Sequence, residues 1–247
     1  VIGNIDDAPI SEILNGEKNK KIKQQMLADQ KPSSCSGCYK LEESKNNFDI
    51  VSQRIYYLKE LREVDRNLYD QIENFDLHTV DIRWTNQCNQ ACVYCGPHNS
   101  SLWGKETTPG KIMSIEAKNA VRTYIFNNVH KLKNVYLAGG EPTLNPEFFD
   151  LLKHCIDKDS AKDIVLDVTT NATKIHPRFF DMARKFKRLI LNISMDGVGK
   201  TYEYVRYPAN YSVVYANILR YNKFVKSLNN DSTLVFNFVL QVWNLHN

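Results

Sequence analysis

Ile164-Val165-Leu166-Asp167-Val168-Thr169-Thr170-Asn171 carries the architecture of this chain. Its β-branched content predicts a strand, and its side chains alternate in character. Leu166 and Val168 fall on one face; Asp167, Thr169 and Asn171 fall on the other. A parallel strand buried on both sides reads as an unbroken apolar run. This strand instead offers one face to a helical layer and one to water.

The same reading extends to four further runs, at 80–85, 134–138, 189–195 and 234–241. Asp81, Arg83 and Thr85 share a face, as do Asn192, Ser194 and Asp196, and as do Asn237 and Gln241. Ile82, Trp84, Leu191, Ile193, Phe236 and Phe238 lie opposite them. Helical patterns separate the runs. Asn145-Pro146 is an N-cap followed by a first-turn proline, and Phe148, Leu151, Leu152, Cys155 and Ile156 then form an apolar stripe. Val214, Ile218, Tyr221, Val225 and Leu228 form another. Strand–helix repetition at this spacing predicts parallel βαβ units with right-handed crossovers. The expected fold class is therefore α/β, a partial (β/α) barrel whose polar strand faces surround a solvated lumen. The alternative is an antiparallel sheet with one wet face. Asp81, Arg83, Asp167, Asn192 and Asn237 are the expected substrate-facing side chains.

Composition narrows the class. With 43% hydrophobic and 24% charged residues, the chain is neither disordered nor fibrous. A scattered net charge of +4 argues against a nucleic-acid partner. No run approaches the ~18–20 apolar residues of a membrane helix, and no signal peptide opens the chain, so a cytoplasmic protein without a membrane partner is expected. The chain opens at Val1 and stops soon after a β run, which leads us to expect a piece of a longer protein.

Six cysteines fall at 35, 38, 88, 92, 95 and 155. Their tight spacing suits convergence on metal better than distant disulfides. Cys88, Cys92 and Cys95 form Cys-x3-Cys-x2-Cys directly after a strand. Three thiolates can hold one iron–sulfur cube and leave one iron without a protein ligand. A zinc site would need a fourth ligand, for which His98 is nearest. Gly139-Gly140-Glu141-Pro142 follows the second strand; its glycines permit close backbone approach and its carboxylate can accept hydrogen bonds from an amine. Both motifs fall at the carboxyl ends of neighbouring strands, where α/β barrels build their sites. Cys155, on an apolar stripe, reads as a buried core thiol.

Cys88-x3-Cys92-x-Tyr94-Cys95, taken with Gly139-Gly140-Glu141-Pro142, resembles the radical S-adenosylmethionine (SAM) enzymes over residues ~78–247. The resemblance implies a six-unit open barrel, of which five units are present here. It implies a [4Fe–4S] cluster on Cys88, Cys92 and Cys95, with SAM chelating the open iron. Gly139, Gly140 and Glu141 would fix the cofactor's amine, and Tyr94 would lie near its adenine. One electron would cleave the sulfonium, and a 5′-deoxyadenosyl radical would then abstract a hydrogen atom from substrate. Ser194-Met195-Asp196-Gly197 resembles a cofactor-binding motif of the peptide-modifying branch. Thr170-Asn171-Ala172 resembles a Thr-Asn-Gly motif, with Ala172 in place of a glycine that a tight turn would favour. Arg206 either neutralises the cofactor's carboxylate or is a solvated loop residue. A flavodoxin or ferredoxin is the implied electron donor.

Residues 1–45, with Cys35-Ser36-Gly37-Cys38, resemble part of a SPASM or twitch domain, which implies an auxiliary iron–sulfur cluster that two thiolates cannot complete. Helices are expected at 9–15 and 20–29, and a turn at 32–38. An amphipathic helix at 46–77 is expected to bridge this segment to the barrel at 78–247. The auxiliary resemblance tilts the substrate toward a peptide, a protein or a peptide-derived natural product; a sugar or aminocyclitol is the enzymatic alternative. The competing class is a non-enzymatic zinc- or Fe–S-binding module that contacts RNA.

Overall fold

The computed structural model describes residues 2–44, 52–55, 77–106 and 114–246. The chain divides into two compact units, Val1–Asp76 and Leu77–Asn247.

The first unit contains α1 (Ile10–Asn15), α2 (Glu17–Leu27) and α3 (Ser36–Glu43). The second helix starts earlier than its sequence pattern suggests, because the Gly16 carbonyl already accepts the Asn19 and Lys20 N–H groups. The expected turn at 32–38 is only partly a turn. A 3-10 segment at Ser33–Cys35 runs straight into α3, so both cysteines of the pair lie at the start of a helix. Glu42 accepts hydrogen bonds from Arg54 and Ser52, and the Arg54 guanidinium stacks 4.7 Å from the centre of the Tyr39 ring. The bridging helix expected at 46–77 lies, but for residues 52–55 and Leu77, outside the described residues.

The second unit is built on one sheet of β1 (Thr79–Ile82), β2 (Asn134–Leu137), β3 (Val165–Thr170), β4 (Arg188–Ser194) and β5 (Thr233–Asn237). The strands lie side by side in sequence order, every pair parallel. The antiparallel alternative is thereby excluded. Between them run α4 (Ser101–Glu106), α5 (Ile115–Asn127), α6 (Pro146–Asp157), α7 (Phe179–Ala183), α8 (Gly199–Val205) and α9 (Tyr211–Lys226). Asn145 caps α6 by accepting the Glu147 N–H at 3.0 Å, and Asn210 caps α9 through Val213 at 3.1 Å.

The alternation read from residues 164–171 is the alternation of burial. Leu166, Val168, Leu191 and Ile193 are fully buried, together with Phe148, Leu151, Leu152 and Cys155 of α6 and Val214 and Tyr221 of α9. Each such large apolar side chain contributes ~1.5–3 kcal/mol when it leaves water. The other face carries rows set by the register. Asp81, Tyr136, Asp167, Ile190 and Thr233 stand side by side across all five strands. Nearer the carboxyl ends, Thr169 pairs with Asn192 and Ser194 with Asn237. Asp81, Arg83, Asp167, Asn192 and Asn237 all face away from the buried layer, half-buried or exposed.

β5 departs from the pattern. It ends at Asn237 rather than near 241, because Asp196 takes the Val239 N–H at 2.7 Å and Asn244 takes that of Gln241 at 2.8 Å. Phe236 and Phe238, expected on the helix-covered side, are about half exposed. Among the described residues, no helix is long and apolar enough to cross a membrane.

Candidate active site

The cysteine loop leaves β1 and is stapled to the start of α4. The Ser101 N–H donates to the Asn86 carbonyl at 2.7 Å, and the Cys88 N–H donates to the Ser101 hydroxyl at 3.1 Å. Ser100 donates to the Gln90 carbonyl at 2.5 Å, and the Trp103 indole N–H donates to the Cys92 carbonyl at 2.9 Å. From the far end of the sheet, the carbonyls of Tyr207 and Val205 accept the N–H groups of Ala91 and Val93 at 2.6 and 2.9 Å.

The Gly-Gly-Glu turn at the end of β2 presses directly against this loop. The Glu141 N–H donates to the Gln87 carbonyl at 2.7 Å. Gly140 has φ +53°, and a Cβ there would stand 2.2 Å from the same carbonyl oxygen. Gly139 has φ +85°, and its Cβ would meet the Arg83 side chain at 2.6 Å. Only glycines satisfy both the left-handed backbone and the close approach.

Glu141 is 2% exposed, and its carboxylate is occupied by its own chain. One oxygen accepts the hydroxyls of Thr143 and Thr170 at 2.6 and 2.7 Å and the Thr143 N–H at 3.3 Å; the other accepts the Asn171 N–H at 2.7 Å. Burial raises its pKa, and these donors act in the opposite direction. The carboxylate therefore knits β2 to β3, a role that the motif alone did not reveal.

Asn171 spans the gap between these parts. Its side-chain amide donates to Asn89 at 2.9 Å and lies 4.0 Å from the Cys88 sulfur. The turn after it forms despite the missing glycine: Ala172 takes φ +56°. Asn217 of α9 holds it there by donating to the Ala172 and Thr173 carbonyls at 2.9 and 3.1 Å.

Tyr94, Asp196 and Arg206 form one cluster, in which the Asp196 and Arg206 side chains are buried and Tyr94 is part-exposed. Arg206 Nη2 lies 2.7 Å from an Asp196 carboxylate oxygen and 2.5 Å from the Tyr94 hydroxyl, which itself donates to the same oxygen at 2.7 Å. Nη1 reaches Gln90 at 3.4 Å and the Cys92 sulfur at 3.9 Å. Arg206 is 5% exposed and Asp196 is fully buried. This excludes the solvated-loop reading of Arg206. Gln90, 116 positions away in sequence, carries no signal that could have announced the contact. Ser194 stands half-buried at the end of β4, and His98 is exposed.

Burial pushes the Cys92 thiol up to about 12, with Arg206 pulling the other way, and also raises Cys88 and Cys95. The charges of Cys88 and Cys95 further disfavour ionisation of Cys92. Among the described residues no three His, Cys, Asp or Glu side chains are grouped as round a single metal ion. In the first unit, Cys35 and Cys38 are half-buried free thiols.

On the polar sheet face, Arg83 pairs with Asp81 at 2.6 Å, Asn192 donates to Asp167 at 2.6 Å, and the Tyr136 and Thr169 hydroxyls meet at 3.0 Å. Burial raises Asp167 to about 6, with the Asn192 bond and the Arg188 charge opposing it and the Asp81 charge adding to it.

The chain is similar in sequence to parts of known proteins. A GTP 3′,8-cyclase from Limosilactobacillus fermentum is 32% identical over 138 residues, 53% of this chain and 37% of that protein. The mycofactocin maturase MftC of Mycobacterium tuberculosis is 29% identical over 134 residues, 53% of this chain and 31% of that protein. SuiB of Streptococcus suis, solved with its precursor peptide SuiA, aligns with TM-score 0.44 and 16% identity over 88% of this chain and 45% of its own. The chain thus spans about a third of the length of these curated relatives. A sequence model of the Radical SAM superfamily matches residues 82–239, the stretch holding the cysteine loop, the Gly-Gly-Glu turn and the Arg206 cluster. The chain belongs to the radical SAM superfamily, and its cofactors are a [4Fe–4S] cluster and S-adenosylmethionine.

Proposed function

We propose that this protein is a radical SAM enzyme that abstracts a hydrogen atom from a substrate held over the polar face of its sheet. The observation that carries the reading is the junction of the two motifs: Glu141 N–H on the Gln87 carbonyl, with no room for a Cβ at Gly140. The donor set fits the cofactors. Cys88, Cys92 and Cys95 offer three soft sulfur donors on one short loop, one fewer than a closed four-cysteine cluster site, as a cluster with one open iron would need. The Gly139–Gly140 turn offers bare backbone to a ligand. When bound, the cluster and SAM supply reductive cleavage of the sulfonium and hydrogen abstraction from substrate.

The chain's own groups orient and shield. Trp103, Ser100 and Ser101 fix the backbone of the loop that carries the three sulfurs. Asn171 sits between Cys88 and the Glu141 carboxylate, where the cofactor's polar ends would be received. Tyr94, 42% exposed, would lie near an adenine while Arg206 and Asp196 hold its hydroxyl. Asp81, Arg83, Asp167, Asn192 and Asn237 line the face over which a substrate would lie.

For the substrate we favour a peptide, a protein or a peptide-derived natural product. The Ser194-Met195-Asp196-Gly197 motif and the likeness of residues 1–45 to an auxiliary-cluster domain support this, with Cys35 and Cys38 as two ligands of a second cluster. A flavodoxin or ferredoxin would deliver the electron in the cytoplasm. The GTP 3′,8-cyclase among the relatives makes a nucleotide the rival substrate.

Anaerobic reconstitution with iron and sulfide tests the reading. We expect a brown protein that, with dithionite, converts SAM to 5′-deoxyadenosine, and loss of both properties in Cys88→Ala, Cys92→Ala and Cys95→Ala. A colourless protein with one zinc per chain would instead favour a binding module. Consumption of GTP would displace the peptide class.

A further inference from the structure

We infer that the buried Arg206 guanidinium tunes the reduction potential of the cluster, by lying against the Cys92 sulfur while Asp196 cancels part of its charge. The inference rests on the proposed role of Cys88, Cys92 and Cys95 as cluster ligands and adds to it an electrostatic control.

Three observations support it. Arg206 Nη1 lies 3.9 Å from Cys92 Sγ, and Nη2 is held by Asp196 and Tyr94 at 2.7 and 2.5 Å, so the cation cannot swing away. Arg206 and Asp196 are almost wholly out of solvent, where charge acts with little screening. Asp196 is itself fixed, its second oxygen accepting the Val239 N–H at 2.7 Å and its carbonyl accepting the Asn244 amide at 3.2 Å. The cluster would thus sit beside a rigid dipole with its positive end at one thiolate.

Reduction adds an electron to the cluster, so a nearby positive charge favours the reduced form and a nearby negative charge opposes it. Arg206 is accordingly a positioning and tuning residue, acting through the Cys92 thiolate. The two members of the pair must act with opposite signs.

The test measures the midpoint potential of the reconstituted cluster by EPR-monitored redox titration, without SAM, in the wild-type chain and three variants. We expect Arg206→Gln to move the potential negative and Asp196→Asn to move it positive. The double variant, which removes both charges, should return close to wild type. A purely structural role would move both single variants the same way or not at all, and either result overturns the inference. Should Arg206→Gln fail to fold because Asp196 is left unpaired, Asp196→Asn and the double variant still decide the sign. If the wild-type protein takes up a cluster and no variant does, the network is scaffolding and the inference falls. If the wild-type protein itself takes up none, the proposed function fails, and this inference with it.

Discussion

Two arginine–aspartate pairs lie in the barrel unit at nearly the same distance, Arg206–Asp196 at 2.7 Å and Arg83–Asp81 at 2.6 Å. Their side chains are 6% and 0% exposed in the first pair and 52% and 42% in the second. Separation therefore does not rank them; water does. In the exposed pair, solvent already stabilises each charge, and the contact adds ~0–1 kcal/mol. In the buried pair each charge depends on the other, and loss of one leaves its partner stranded. At the carboxyl ends of the strands the Arg206–Asp196 pair is thus intolerant of the loss of one partner, while the Arg83–Asp81 pair contributes little to the fold.

Arg206→Ala tests the rigid side most severely. It should lower the unfolding free energy by about 3–5 kcal/mol, read by urea denaturation of the apo chain. A cost near that of an exposed pair would erase the contrast. Gly140→Ala probes the same rim without touching a charge. The new Cβ must displace the Gln87 carbonyl and accept a left-handed backbone, for an expected loss of about 2–3 kcal/mol and of iron uptake on reconstitution.

Asp167 lies between the extremes, and pH exposes its position. Its folded pKa stands near 6 against an ordinary value of 3.8, so the fold favours the protonated acid. The resulting stabilisation is fully present below the ordinary value and is lost as pH rises through about 6. Asp167→Asn should therefore raise stability by about 1 kcal/mol at pH 8, a figure reduced for partial solvent screening, and change it little at pH 4. Thermal unfolding at the two pH values checks the difference. Arg83→Ala should be the mildest change. It keeps the Cβ against Gly139 and loses an exposed pair, the outer stem and a guanidinium 5.9 Å from the centre of the Tyr136 ring, all on an exposed face, so unfolding should shift by no more than about 0.5 kcal/mol.

What the sequence made legible obeys the same division. Period-two alternation is a local property, so the five strands and the open polar face could be read from it directly. The ends of strands were less legible where distant groups intervene: β5 is cut short by Asp196 capturing the Val239 N–H. Asn145 announced its helix because a cap acts over two or three residues. The motifs identified the site but not its internal bonding. Glu141 reads as a ligand for an amine, yet its carboxylate accepts donors from Thr143, Thr170 and Asn171. Ala172, where glycine would be easier, is held by Asn217 from a helix whose sequence gives no hint of that task. The start of the helix at 36–43 falls within the turn read at 32–38, because Ser and Gly mask it.

The main-chain bonds from Ala91 and Val93 to Tyr207 and Val205 close the cysteine loop with groups from far along the chain. During synthesis the cysteines emerge long before these partners, since Tyr94 and Arg206 are 112 positions apart. A nascent chain that has not yet exposed Arg206 lacks half of the frame that shapes its metal loop. The fold of the cysteine loop is therefore complete only once the segment after the fourth strand has docked on it.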